Sequence, residues 1–126
     1  MRFAVSVGDR RPLYCTSGGR ALLADLSENE LQDYLRDLKP GRLTDETEVD
    51  KERLAAIIEQ TRKNGVTQTV NQAASGATGT ASPIRDASGK AIGALIVAAP
   101  SSRVQATLPA LVREEAAIIS ASLGYR

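Results

Sequence analysis

Residues 77–98, ATGTASPIRDASGKAIGALIVA, contain the stretch that decides the fold of this chain. Within it, two runs that favour β-strands flank loop 86–90, where Gly89 can adopt the positive φ of a hairpin turn. The candidate strands of the whole region are 66–72, 77–85 and 91–98. Strands that follow one another through short loops pair antiparallel, so this region predicts an antiparallel sheet.

Helix signals lie on both sides of the sheet region. Residues 27–30, Ser-Glu-Asn-Glu, match the capping box that begins a helix, and Pro40 and Gly41 end that helix. Asp50 can cap a further helix that stops at Gly65. A short helix follows residues 17–19, and a last one is predicted from about 104 to Leu123, closed by Gly124. The apolar faces predicted for the three longer helices are Leu31, Tyr34, Leu35 and Leu38; Leu54, Ile57, Ile58 and Thr61; and Leu108, Leu111, Val112, Ile118 and Ile119.

The N-terminal stretch predicts a weak first strand, in which Phe3, Val5 and Val7 alternate with Arg2, Ala4 and Ser6. Residues 8–12 then predict a turn or loop, and Asp9 cuts the apolar run too short for a signal peptide. No run in the sequence approaches the roughly 18 apolar residues of a membrane span. The expectation is a cytoplasmic α+β domain with helices packed against an antiparallel sheet.

Composition excludes several kinds of chemistry. The 126-residue chain has no histidine and one cysteine, so it has no Ser-His or Cys-His catalytic pair, no histidine metal ligand and no internal disulfide. Its formal net charge of +1 argues against a chain that neutralises phosphates. Its arginines, Arg20 among them, form no dense run and indicate a solvated surface. We therefore expect a binding domain that is no enzyme and has no metal or cofactor.

Three local features have a functional and a purely structural interpretation. The small-residue stretch 73–82 lacks the Lys-Ser/Thr of a phosphate-binding P-loop, and it predicts either a pocket wall or a plain strand and turn. Residues 16–19 can present backbone N–H groups to an anion, although ordinary helix capping is the favoured interpretation. The acidic run 45–50 is too irregular for a calcium loop and suits the start of a helix.

Taken in order, the motifs resemble the effector-binding domain of IclR-type (isocitrate lyase regulator) bacterial transcription factors. The resemblance covers nearly the whole chain and rests on 11–24 (RPLYCTSGGRALLA), Thr44-x-x-Thr47-x-x-Asp50 with Leu54, 61–66 (TRKNGV), 81–86 (ASPIRD) with Gly89, 94–100 (ALIVAAP) with Arg103, and 116–125 (AAIISASLGY).

The resemblance implies a GAF/profilin-like α+β fold, with an antiparallel sheet, helices packed on it and a ligand pocket over one face. In that family the domain binds a small metabolite, often a carboxylate or an aromatic acid, and mediates dimer and tetramer contacts. Carried over by motif position, Ser17 and Gly18 would offer backbone N–H groups to a ligand carboxylate. The sheet side of the pocket would be lined by Thr69, Gly79, Ile96 and Ala98.

The chain departs from the family pattern in two respects. It has Thr-Val-Asn-Gln at 69–72, where the family usually has acidic residues, and Ile96 and Ala98 are more apolar than usual, so we expect an apolar or aromatic acid. No winged helix-turn-helix precedes Met1, so residues 1–126 are expected to be a partial effector-binding domain that meets DNA only through a missing N-terminal domain. The alternative is a free-standing metabolite-binding module without DNA binding.

Overall fold

The computed structural model describes residues 6–126 as helices on an antiparallel sheet. In chain order the elements are α1 (Ser17–Leu23), α2 (Glu28–Asp37), α3 (Lys51–Asn64), β1 (Thr67–Val70), β2 (Ala77–Arg85), β3 (Ala91–Pro100), a 3₁₀ turn (Ser101–Arg103) and α4 (Leu108–Ser122). The strands form one sheet in the order β1-β2-β3, with both neighbouring pairs antiparallel. The predicted α+β class and the predicted sheet are confirmed.

The predicted first strand falls mostly on residues 1–5, which lie outside the described residues. The end of it that is described, Ser6 and Val7, belongs to a turn instead. The Asp9 N–H donates to the Ser6 carbonyl over 3.0 Å, and the Ser6 N–H donates to the Asp9 carboxylate over 2.9 Å. Val7 is fully exposed in that turn.

Side-chain caps fix where the helices begin. Both bonds of the predicted capping box form: the Glu30 N–H donates to Ser27 Oγ (3.2 Å), and the Ser27 N–H donates to the Glu30 carboxylate (2.9 Å). Asp50 accepts from the Arg53 N–H (3.0 Å) at the start of α3, and Gly65 ends that helix at φ +72°. Thr16 accepts from the Gly19 N–H (3.1 Å) and starts α1.

Strand β2 is buried on both faces and holds the layers together. Its neighbours Thr80 and Ala81 point to opposite faces, and both are completely buried. Helix α1 packs over the face that carries Ala81, while α4 packs on β2 and covers the other. A further apolar core lies among the first three helices and consists chiefly of Cys15, Leu23, Leu31, Leu35, Leu54 and Ile58.

The predicted apolar face of α4 is partly wrong. Leu111 and Ile118 are 52% and 57% exposed, whereas the buried residues are Val112, Ala116 and Ser120. These three are spaced by four and include small side chains, because α4 lies close enough to β2 for Ser120 Oγ to accept from the Arg85 N–H at 2.9 Å. The helix also begins at Leu108 rather than 104, after the 3₁₀ turn that follows Pro100.

Cys15 offers a direct test of this core. It is the single cysteine of the chain, it is completely buried, and burial raises the pKa of its thiol, which lowers the thiolate fraction at any pH near 8. We expect no reaction with a disulfide reagent such as DTNB in the native protein at pH 8, and release of one equivalent in concentrated urea. Rapid release of one equivalent from the native protein would show that this packing is wrong.

Candidate functional site

The junction between α1 and the sheet brings together residues from separate segments of the chain. A Cβ added to Gly79 on β2 would lie 2.6 Å from Ser17 Oγ and 3.2 Å from Thr69 Oγ1. A Cβ added to Gly18 would lie 2.5 Å from Ile96 Cδ1 on β3. Helix α1 can approach the sheet this closely because both contact points lack a side chain.

Strand register places the residues predicted for the sheet side of the site close together on one face of the sheet. Thr69 pairs with Gly79, which in turn pairs with Ala98, and Ile96 is two residues from Ala98 on the same face. Ser17 and Thr69 are buried, whereas Ile96 is half-exposed and Ala98 is exposed. The β1 end of the junction therefore carries buried hydroxyl groups, and its β3 end carries exposed apolar side chains.

The structure groups the residues predicted for the site, but α1 rests directly on the sheet at Gly18 and Gly79. Two depressions of the described surface lie elsewhere. One, of about 420 Å³, is lined by Asp33, Tyr34, Asp37, Leu38 and Lys39. The other, of about 320 Å³, is lined by Gln32, Leu35, Arg36, Lys51, Glu52 and Ala55. Neither includes a residue predicted for the site.

The start of α1 combines ordinary capping with unused donors. Thr16 satisfies the Gly19 N–H, as the capping interpretation predicts. The first N–H groups of any helix lack intrahelical acceptors, and here they belong to Ser17 and Gly18. These two amides therefore lie beside the Ile96 and Gly79 contacts with hydrogen-bonding capacity to spare.

Arg20 is buried, so the prediction that it belongs to a solvated surface is wrong. Its side chain is 3% exposed; Nε donates to the Tyr14 carbonyl (2.7 Å) and Nη2 to Gln72 Oε1 (3.0 Å). Burial lowers the pKa of the guanidinium. The sequence does carry a signal for this position, because Arg20 is three residues after Ser17 and shares its helix face.

Sequence reasoning also missed a polar network behind the junction. Thr47 Oγ1 accepts from the N–H groups of Leu43 (3.1 Å) and Thr44 (2.9 Å) and donates to the Gln72 carbonyl (2.6 Å). The Gln72 side chain donates to the Glu46 carbonyl (2.8 Å), and its Oε1 accepts from the Glu48 N–H (2.8 Å) as well as from Arg20. The Thr44-x-x-Thr47 motif thus fastens its loop to the end of β1, next to the site.

The residue types at the junction suit binding: hydroxyl groups, backbone amides and aliphatic side chains. Among residues 6–126, no group of three or more Cys, Asp or Glu side chains is arranged to hold a metal ion. No helix in the same part of the chain is long and apolar enough to cross a membrane.

The family model of the bacterial transcriptional regulator IclR C-terminal domain matches residues 1–121. The chain belongs to this family. It is 40% identical over 100 residues to the Pca regulon regulatory protein of Pseudomonas putida, a match that covers 79% of this chain and 34% of that protein. Such relatives are regulators and not enzymes, which confirms the non-catalytic expectation.

Solved structures agree with the IclR assignment. RHA06195 of Rhodococcus sp. RHA1, assigned as a transcriptional regulator, superimposes with a TM-score of 0.92 at 33% identity, over 98% of this chain and 52% of that one. The inducer-binding domain of Acinetobacter PobR, a double mutant in complex with 3-hydroxybenzoic acid, matches at a TM-score of 0.83 and 24% identity. It covers 91% of this chain and 69% of that domain, and at this identity it shows the fold alone. The chain spans about a third to a half of the first two proteins.

Gly79→Ala tests the close approach of α1 to the sheet. The added methyl group would collide with Ser17 Oγ, and we expect overpacking to destabilise the protein by roughly 1–3 kcal/mol. The matched control is Gly93→Ala on β3, where an added Cβ meets nothing within 4 Å, and it should leave stability unchanged or raise it by up to about 1 kcal/mol. Urea unfolding measures both; equal stability of the two variants would contradict the described contact.

Thr47→Val tests the network behind the site. The substitution keeps the side-chain shape but leaves two N–H groups and one carbonyl without their partner, so we expect a loss of roughly 1–3 kcal/mol. Thr107→Val is the control, because the exposed Thr107 side chain makes no capping hydrogen bond at the start of α4. If both variants unfold at the same urea concentration, the Thr47 hydroxyl does not hold this loop.

Proposed function

We propose that this chain is the effector-binding part of an IclR-type regulator, and that the junction of α1 with the sheet binds a small carboxylate or aromatic acid. The observation that carries the proposal is the convergence of Ser17, Gly18, Thr69, Gly79 and Ile96, which come from α1 and all three strands. Ala98 pairs with Gly79 at the open edge of the junction. Family membership supports a binding role for this surface.

The two ends of the junction suit two different parts of a ligand. The Ser17 and Gly18 amides, with the hydroxyl groups of Ser17 and Thr69, suit a carboxylate, because N–H and O–H donors hold an anion by charge-assisted hydrogen bonds. Ile96 and Ala98 at the β3 end suit an apolar or aromatic body. Binding of this kind needs no metal and no cofactor.

In the longer regulator, we propose that effector binding controls transcription through a winged helix-turn-helix domain N-terminal to this part of the protein. The family and the regulators that the chain matches support this role. We further propose that the domain works in the cytoplasm as a homodimer or tetramer, in which the effector shifts the balance between assemblies of different DNA affinity.

A thermal-shift experiment with benzoate, 3-hydroxybenzoate and short aliphatic carboxylates tests the site. A ligand that binds the native state stabilises it by mass action, so a saturating acid should raise Tm by several degrees. Gly18→Val should abolish this shift, because the added side chain collides with Ile96 and displaces α1 from the sheet, whereas Gly93→Val, at the open position on β3, should retain it.

Two outcomes would overturn the proposal. The first is that none of these acids changes Tm of the wild-type protein. The second is that Gly18→Val responds as strongly as the wild type, which would place binding away from this junction.

A further inference from the structure

We propose that Arg20 makes this site selective for negatively charged effectors, because its buried guanidinium has neutral hydrogen-bond partners and one nitrogen, Nη1, without a partner. The inference rests on the proposed function, since it names the residue that sets the charge of the ligand that the α1 junction takes. It assigns the selectivity to a side chain rather than to the backbone amides of α1.

Arg20 lies on the side of α1 that faces the site. It is three residues after Ser17, which places both side chains on one face of the helix, and both are almost completely buried. Its partner Gln72 is three residues after Thr69, just past the end of β1. The guanidinium thus lies at the β1 end of the junction, behind the Ser17 and Thr69 hydroxyl groups.

No carboxylate pairs with this cation within residues 6–126. The acceptors of its hydrogen bonds, the Tyr14 carbonyl and Gln72 Oε1, are both neutral. The negative charges that raise the pKa of Arg20 against the effect of burial are those of an ionised Cys15 and of Glu48, in that order. The Glu48 carboxylate, however, accepts from the N–H groups of Val49 (3.1 Å) and Asp50 (3.2 Å) and lies 3.8 Å from Arg53 Nη1.

The third nitrogen of the guanidinium, Nη1, uses neither of its two N–H donors. It has no hydrogen-bond partner among residues 6–126, although every fully buried side-chain nitrogen and oxygen of that part has one. Nη1 therefore keeps some contact with solvent, although Arg20 as a whole is only 3% exposed. In the proposed complex the effector carboxylate approaches this donor, which no carboxylate of residues 6–126 occupies.

The physical reason for charge selectivity follows from burial. A cation removed from water and hydrogen-bonded only to neutral groups is destabilised, and burial accordingly lowers the pKa of Arg20. A carboxylate placed nearby offsets that cost, while a neutral amide of the same shape does not. The protein should therefore discriminate between an acid and its amide by charge.

A purely structural role for Arg20 predicts a different result. If the side chain only ties α1 to Gln72, its loss weakens the fold and affects acid and amide binding by the same factor. The ratio of the two affinities separates the roles, because a general loss of site geometry cancels in that ratio.

The experiment measures Kd for 3-hydroxybenzoate and for its neutral amide, 3-hydroxybenzamide, by isothermal titration calorimetry at pH 7. The wild type should prefer the acid by about tenfold or more, the range expected for a hydrogen bond to a charged group. Arg20→Gln should bring the ratio close to one, and Arg20→Lys should keep most of the preference. Arg36→Gln, which removes an exposed arginine of α2, should match the wild type.

Gln72→Glu keeps the result interpretable if Arg20→Gln does not fold. It places a carboxylate on the guanidinium without removing it, so the preference for the acid should fall while Arg20 is still present. An acid-to-amide ratio that stays at the wild-type value in Arg20→Gln, or in Gln72→Glu where Arg20→Gln cannot be studied, overturns the inference.

The remaining outcomes separate this inference from the proposed function. If the wild type binds acid and amide equally well, the Arg20 inference fails and the effector site stands. If the wild type binds neither probe at millimolar concentration, an aromatic-acid site at this junction fails, and the Arg20 inference fails with it.

Discussion

The approach of α1 to β2 at Gly79 is the contact on which the rest of the structure depends. Glycine within a strand costs roughly 0.5–1 kcal/mol relative to alanine, and here that cost allows Ser17 to lie directly over the sheet. With seven residues, α1 is too short to persist alone, so its packing on the sheet sustains it. A displaced α1 would carry Ser17, Gly18 and Arg20 away from β1 and β3 together.

Hydrogen bonds fix the position of α1 along the sheet. Apolar packing alone would let a short helix slide, whereas the hydrogen bonds of Arg20 and Thr47 meet at Gln72, directly after β1. Asn71 positions Gln72 for these bonds. It turns the chain after β1 at φ +57°, and its side chain accepts a hydrogen bond from the Gly76 N–H (2.7 Å). A left-handed residue that is not glycine persists where its surroundings fix it, and asparagine tolerates that conformation well.

Features that depend on neighbouring residues were predictable from the sequence. The capping box at Ser27, the cap at Asp50, the stop at Gly65 and the hairpin loop all form as expected, because each is a bond between residues a few positions apart. The family resemblance also named residues that come together in space, although it could not show that α1 rests directly on the sheet at Gly18 and Gly79.

Features that depend on tertiary contact were not predictable in this way. Periodicity ranks large aliphatic residues first, but the contact of α4 with β2 selects small ones such as Ala116 and Ser120, and this leaves Ile118 exposed. Charge suggests a surface position for Arg20, but Gln72 and the Tyr14 carbonyl hold it inside. Neither partner can be inferred from spacing, because Gln72 lies 52 residues further along the chain than Arg20.

The proposed effector site is the junction of α1 with the sheet and not the surface of α2. The most direct measurement is a titration of ¹⁵N-labelled protein with 3-hydroxybenzoate, followed by amide chemical shifts. The largest shifts should belong to the amides of Ser17, Gly18, Thr69, Gly79 and Ile96. Shifts concentrated on α2, around Asp33 and Asp37 where one of the depressions lies, would contradict this proposal.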